Sequence, residues 1–243
     1  AFIRIEFLGF PYTTPQMMFA RTVFEHLIGV KNYHKYINKA HLSRLDIAAD
    51  FTGITPDDLV FDKLRAQKGQ VFFDRNGCIE TIYVGDKRNS SHLVIYSRNA
   101  KLRNLKQQDT LCENTTRFEY RYKLRGFPLS NLLDIDDPFV NIEAFDVYSM
   151  INSQYFSMDF IDAITGKGLL PVLQRRDKAQ QKLIKDQMYV HKVHWFTVGK
   201  IMELWRQSAI QFSILTNKQS DIDTELYEEV REEFHRLLKT QKQ

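Results

Sequence analysis

Up to about Gly126 the chain is built of short runs in which apolar and polar residues alternate. The segments 'FIRIEFLGF', 'SRLDIAADF', 'QVFFD', 'ETIYVG', 'HLVIYSR' and 'TRFEYRYKL' all carry this period of two, with many β-branched and aromatic residues. That pattern predicts strands. Between the first two runs lies 'TTPQMMFARTVFEHLIGVKNYHKYI', where Met18, Val23, Leu27 and Ile28 recur at helical spacing. Thr14 is placed to cap this helix and Pro15 suits its first turn. 'ITPDDLVFDKLRAQ' repeats the Thr-Pro opening with acids behind it, and predicts a second helix over the sheet. The turn formers 'DKRNSS' join 'ETIYVG' to 'HLVIYSR' as an antiparallel hairpin.

Beyond Gly126 the period changes. 'FPLSNLLDIDDPF' is a turn-rich connector. After it, 'NIEAFDVYSMINSQYFSMDFIDAITG', 'LLPVLQRRDKAQQKLIKDQMYVHKVHWF', 'VGKIMELWRQSAIQFSIL' and 'TELYEEVREEFHRLLKT' all read as amphipathic helix. The expected fold is therefore α+β: a largely antiparallel sheet flanked by helices, followed by a mainly helical C-terminal region. In domain terms, residues 1–126 form an α/β domain and 127–243 a helical region serving DNA binding or dimerisation.

Composition narrows the class. At 43% hydrophobic over 243 residues the chain has enough apolar material for a packed core. Its apolar runs are broken by charges well short of a membrane span, and 'AFIRIEFLGF' alternates instead of forming a signal-peptide core. The chain does not begin with Met, which leaves room for segments beyond either end. Cys78 and Cys112 share no paired spacing, so a reducing, cytoplasmic compartment is expected.

Charge is unevenly distributed. From Gly85 to Arg125 there are ten Lys or Arg against four acids, a net +6, interleaved with Tyr96, Phe118, Tyr120 and Tyr122. A second basic tract runs from Lys167 to Arg206, with nine basic and three acidic residues. The segment 'DIDTELYEEVREEFHRLL' near the C-terminus is acidic. Basic stretches with interleaved aromatics are what a nucleic-acid face requires, since phosphates supply the affinity and rings stack on bases. A solvated surface over core aromatics reads the same way.

Alternation places the candidate chemistry on faces. It puts Arg44, Asp46, Ala48 and Asp50 together on one strand, and His92, Val94, Tyr96 and Arg98 together on the next. On a third strand it groups Arg117, Glu119, Arg121 and Lys123. If those faces coincide, one patch holds carboxylates, a histidine, a tyrosine and several arginines. Asp and Glu oxygens with an imidazole suit Mg²⁺ or Mn²⁺. Each residue also has an ordinary reading: Asp46 and Asp50 as surface partners of Arg44 and Arg117, and Tyr96 as a packing residue of its strand. His191 and His194 form an HxxH with no third ligand and read as core or surface histidines. No Gly-rich phosphate loop, HExxH or nucleophile elbow is present, which disfavours a nucleotide hydrolase.

The combination 'SRLDIAADF', 'ETIYVGDKRNSSHLVIYSRNAKL' and 'TRFEYRYKL' resembles the replication initiation factor family, the rolling-circle initiators and related relaxases of plasmids, conjugative elements and some phages. The resemblance covers Leu42 to Arg125. It implies a DNA nicking-closing enzyme with Tyr96 as nucleophile, Arg98 as the basic residue that follows it, and Asp46, Asp50 and Glu119 as ligands of Mg²⁺ or Mn²⁺. Family members carry acids after the tyrosine where this chain has Ser97 and Lys101, and His92 is the residue available to compensate as ligand or base. The two-histidine HUH motif is absent. The product would be a 5′-phosphotyrosyl link and a free 3′-hydroxyl. Arg44, Lys87, Arg88, Arg117, Arg121, Lys123, Arg175 and Arg176 are the expected DNA contacts. The expected partners are origin DNA, single-stranded and duplex, a host or plasmid helicase, and a second copy of the chain. Two other classes stay open: a DNA-binding protein without catalysis, and a metal-dependent nuclease that uses activated water.

Overall fold

The structure is a computed structural model that describes residues 12–63, 69–85, 91–105, 113–140, 142–194, 196, 198–216 and 223–240. In chain order the elements are α1 (Thr14–Ile28), α2 (Val30–Ile37), β1 (His41–Thr52), β2 (Leu59–Lys63), β3 (Gly69–Phe73), β4 (Ile79–Val84), β5 (Ser91–Ser97), α3 (Arg98–Asn104) and β6 (Thr115–Pro128). They continue as β7 (Ile142–Asp146), α4 (Val147–Ile151), α5 (Met158–Lys167), α6 (Leu169–Leu173), α7 (Lys178–Tyr189), α8 (Val198–Ala209), α9 (Ser213–Thr216) and α10 (Thr224–Thr240). The fold is mixed α/β, with a five-stranded antiparallel sheet in the order β1-β6-β5-β4-β3 and a helical C-terminal region. The expected strand 'FIRIEFLGF' lies outside the described residues.

Two compact units are present. One holds Arg44–Leu124 and Asp137–Ile201; the other holds the described residues up to Ser43, Arg125–Asp136, and those from Met202 onward.

The first unit contains the five-stranded sheet except for the first residues of β1 and the last of β6. Its apolar face buries Ile47, Leu93, Ile95 and Phe118 completely. Phe118 meets Phe51 and Phe61 edge-on, at 5.0 and 5.3 Å between ring centroids. Burying a ring of that size stabilises by about 1.5–3 kcal/mol. A second, two-stranded sheet pairs β2 antiparallel with β7, from Leu59 opposite Asp146 to Lys63 opposite Ile142. Val60 and Phe145 of that sheet pack with Ile161, Ile164, Leu169, Leu173 and Met188 of α5, α6 and α7.

In the second unit α1 packs with α9 and α10. Its core is Met17, Met18, Tyr33, Ile37, Ile214, Leu215 and Tyr227. Arg21 is fully buried there; its Nε donates to Glu25 Oε1 at 2.9 Å and its Nη1 to the Ile214 carbonyl at 2.8 Å. The guanidinium sits over the rings of Tyr33 and Tyr227, so the charge is stabilised by partners on several sides.

Several elements differ from the sequence expectation. The long N-terminal helix is two, α1 and α2, broken at Gly29 with φ +80°, and its cap is Thr13, which forms a capping box with Gln16. Among its described residues, the helix expected over 'ITPDDLVFDKLRAQ' closes only one 3₁₀ turn, Pro56–Asp58, where Asp58 Oδ2 accepts from Thr55 N at 2.6 Å. Leu59, Val60 and Phe61 are then buried on consecutive positions, which a strand covered on both faces satisfies and a surface helix does not. The start of 'NIEAFDVYSM' is likewise strand β7, the partner of β2, and α4 begins only after Asp146, whose Oδ1 accepts from Ser149 N at 2.6 Å.

Candidate active site

β5 and β6 pair with His92 opposite Arg121, Val94 opposite Glu119 and Tyr96 opposite Arg117. Residues directly opposite in an antiparallel ladder project to the same face. β4 continues that face with Thr81 opposite Tyr96 and Tyr83 opposite Val94. β1 joins through Asp50, whose Oδ1 and Oδ2 accept from Arg117 Nε and Nη2, each at 2.6 Å. The polar residues of the three strands therefore share one face.

Tyr96 lies within this face, 4% exposed. Its Oη donates to Glu119 Oε2 at 2.9 Å, and Glu119 Oε1 accepts from Arg121 Nε at 2.6 Å. Burial alone would raise the Glu119 pKa. The Arg121 hydrogen bond and charge, with smaller contributions from Tyr96 and Lys101, more than offset it and hold the carboxyl below its ordinary value. Glu119 is thus a carboxylate at neutral pH, an acceptor for the Tyr96 proton. The hydrogen bond to Asp50 holds the Arg117 guanidinium above its ordinary pKa against the effect of burial, and Tyr96 acts in the same direction.

The tyrosine's neighbour from the helix side is Lys101. Its Nζ donates to Tyr96 Oη at 3.0 Å and stands 4.6 Å from the ring centroid. Strand β5 ends at Ser97, whose Oγ accepts from Ala100 N at 3.2 Å and caps α3. Arg98 is therefore the first residue of a helix and not the next position of the strand face. It still reaches the patch, with Nε 3.9 Å from Asp50 Oδ2.

His92 lies at the other end of the strand, 5% exposed and opposite Arg121. Burial, then the charges of Arg121 and Lys123, push its pKa below the ordinary value, and among the described residues its Nδ1 has no hydrogen-bond partner. It is a buried neutral imidazole.

The proposed metal ligands share the face but are engaged one by one. Asp46 is ion-paired with Arg44, Asp50 with Arg117, and Glu119 with Arg121. Asp46 and Asp50 thus have the arginine partners that the ordinary reading gives them. Hard carboxylate oxygens suit Mg²⁺ or Mn²⁺, yet as arranged the three do not form one ligand set. Among the described residues no group of three or more His, Cys, Asp or Glu is placed to hold a metal ion.

Of the expected DNA contacts, Arg44, Arg117, Arg121 and Lys123 border this face. Arg175 and Arg176 are exposed in the connection between α6 and α7 and are not part of it, and Lys87 and Arg88 lie outside the described residues. The residue that strand periodicity misses is Lys101. Its signal is Ser97, a good N-cap at the end of the strand: one helical turn folds Lys101, five positions after Tyr96, back onto the tyrosine.

No model of a known protein family matches the chain, and no curated protein matches it. Among the described residues no helix is long and apolar enough to cross a membrane.

Proposed function

We propose that the protein is a DNA strand transferase of the rolling-circle initiator type, which nicks and rejoins one strand through Tyr96. The observation that carries this reading is Tyr96 Oη bonded to the Glu119 carboxylate at 2.9 Å within a face bordered by Arg98, Arg117 and Arg121. A phenol with an ordinary pKa near 10 is a weak nucleophile at neutral pH, and an adjacent carboxylate is the base it needs. Glu119 would take the Oη proton as the oxygen attacks a scissile phosphate, while the arginines hold the phosphate and offset its charge. The 3′ oxygen leaves and the 5′-phosphotyrosyl link keeps the bond energy, so the reverse attack rejoins the strand.

On this reading Asp46, Asp50 and Glu119 would be the oxygen donors for Mg²⁺ or Mn²⁺, freed as DNA phosphates take over their arginines. A bound ion would supply Lewis-acid polarisation of the phosphate. The scissile strand would be single-stranded or extruded from origin duplex, and Arg175 and Arg176 would serve duplex contacts beyond the face. A helicase to open the duplex, a second copy of the chain and a cytoplasmic setting belong to the same reading.

The burial of Tyr96 favours a second reading, a DNA-binding module in which this tyrosine is a strand residue. The deciding experiment incubates the protein and Tyr96→Phe with labelled single-stranded oligonucleotides tiled across the DNA flanking its coding sequence, with Mn²⁺ and with EDTA, followed by denaturing electrophoresis. A covalent adduct absent from Tyr96→Phe is the expected result. Cleavage without an adduct moves the chemistry to an activated water. Binding without cleavage on every oligonucleotide leaves the DNA-binding module.

A further inference from the structure

Resting on the strand-transfer reading, we propose that Lys101 is a further catalytic residue, whose ammonium stays bonded to the Tyr96 oxygen and stabilises the charge that oxygen carries in attack and in rejoining. Three observations carry it. Lys101 Nζ lies 3.0 Å from Tyr96 Oη, on an oxygen that also donates to Glu119 at 2.9 Å. The reacting oxygen is thus held between one group that accepts its proton and one that donates to it. Second, Tyr96 is buried while Lys101 is exposed, so the ammonium links the phenol to the solvent side from which a phosphate must come.

Third, the helix bearing Lys101 is fixed to the strands. Asn99 Oδ1 accepts from Thr115 N at 2.9 Å and Asn99 Nδ2 donates to the Glu113 carbonyl at 3.3 Å, tying α3 to the start of β6. The Ser97 cap joins it to the end of β5. Lys101 is therefore presented by a short helix anchored to both strands, and its ammonium need not be gathered from solution at the moment of reaction.

In nicking, the bond from Oη to phosphorus forms and the bond from phosphorus to the 3′ oxygen breaks. The Oη proton passes to Glu119 Oε2, and the departing 3′ oxygen takes a proton from water. In rejoining, the 3′-hydroxyl attacks and gives its proton to water, and Oη leaves bonded to Lys101 and recovers its proton from Glu119. A charge-assisted hydrogen bond on Oη stabilises the phenolate-like oxygen more than the neutral phenol, and so lowers both barriers.

The test is single-turnover adduct formation at saturating concentration of the oligonucleotide that gives an adduct, using wild type, Lys101→Met and Lys101→Arg. The same oligonucleotide with a bridging 3′ sulfur at the scissile bond is run beside it, since a thiolate leaves without protonation. Lys101→Met should slow adduct formation on the order of 10²–10³-fold, with oligonucleotide Kd and thermal midpoint unchanged. Lys101→Arg, which keeps a charged donor, should restore most of the rate. The defect should persist on the sulfur substrate, because the charge being stabilised is on tyrosine. A Lys101→Met variant as fast as wild type overturns the role. So does a loss confined to Kd, or a defect that vanishes on the sulfur substrate. A wild type that forms no adduct overturns the strand-transfer reading itself, and the Lys101 role with it.

Discussion

Glu119 and Tyr96 are not opposite each other in the ladder. Glu119 faces Val94 and Tyr96 faces Arg117, yet the carboxylate reaches diagonally to the hydroxyl at 2.9 Å. Diagonal neighbours in an antiparallel pair are within reach only of long side chains, and Arg121 on the other carboxylate oxygen fixes which way Glu119 leans. Glu119→Gln keeps the length and an accepting carbonyl but cannot take a proton. Its rate of adduct formation should fall roughly 10²–10⁴-fold while oligonucleotide affinity changes by no more than a few-fold. Equal single-turnover rates for variant and wild type would take Glu119 out of the chemistry.

The basic edge of the face should be legible in salt dependence. Lys123 lies two residues beyond Arg121 on β6 and is exposed. If it neutralises one phosphate of a single strand, Lys123→Ala should reduce the slope of log K against log salt by about 0.7. Arg175→Ala with Arg176→Ala should leave the single-strand slope unchanged and reduce that for duplex. Anisotropy titrations across a series of salt concentrations measure both. A Lys123→Ala slope identical to wild type would remove this lysine from the phosphate path.

Strand alternation is a reliable guide where one face is apolar and the other polar. β1, β3, β4 and β6 fall where it places them and β5 does so up to Ser97, Arg98 having passed into α3; alternation groups Tyr96 with His92 and Val94, and Arg117 with Glu119, without any knowledge of the pairing. It fails at β2, which reads as a helix start because Thr-Pro-Asp-Asp carries helix-opening chemistry, and at β7, which sits at the head of a long stretch with amphipathic helical spacing. Those strands exist because each is the other's partner. Leu59 pairs with Asp146 and Lys63 with Ile142, contacts between residues far apart in the chain that no local window contains. Lys101 is hidden for a related reason: its role depends on a helix turning back over the strand that precedes it.

His92 sets a pH dependence of stability. Burial, then Arg121 and Lys123, lower its folded-state pKa. As pH falls below the ordinary histidine value of about 6.5, the unfolded chain takes up a proton that the folded chain resists. The stability present above that value is therefore lost as pH falls toward the folded pKa. His92→Gln has no such proton to bind, so its thermal midpoint should drop less than that of wild type between about pH 7.5 and about pH 5.5, a range that brackets the ordinary histidine pKa. Parallel midpoint curves for the two proteins would show that His92 does not carry the effect.

Two glycine-to-alanine changes should have opposite signs. Gly29 separates α1 from α2 at φ +80° and ψ +140°, a conformation that L side chains rarely adopt, and a Cβ there would meet nothing within 4 Å. The cost of Gly29→Ala is therefore backbone strain alone, about 1–3 kcal/mol. Gly166 lies inside α5 without a positive φ, and a Cβ there also meets open space. Gly166→Ala should stabilise by about 0.5–1 kcal/mol, since alanine loses less backbone freedom on folding. Denaturant midpoints of the two variants against wild type give both signs. A stabilised Gly29→Ala would mean that the α1–α2 junction does not require the positive φ.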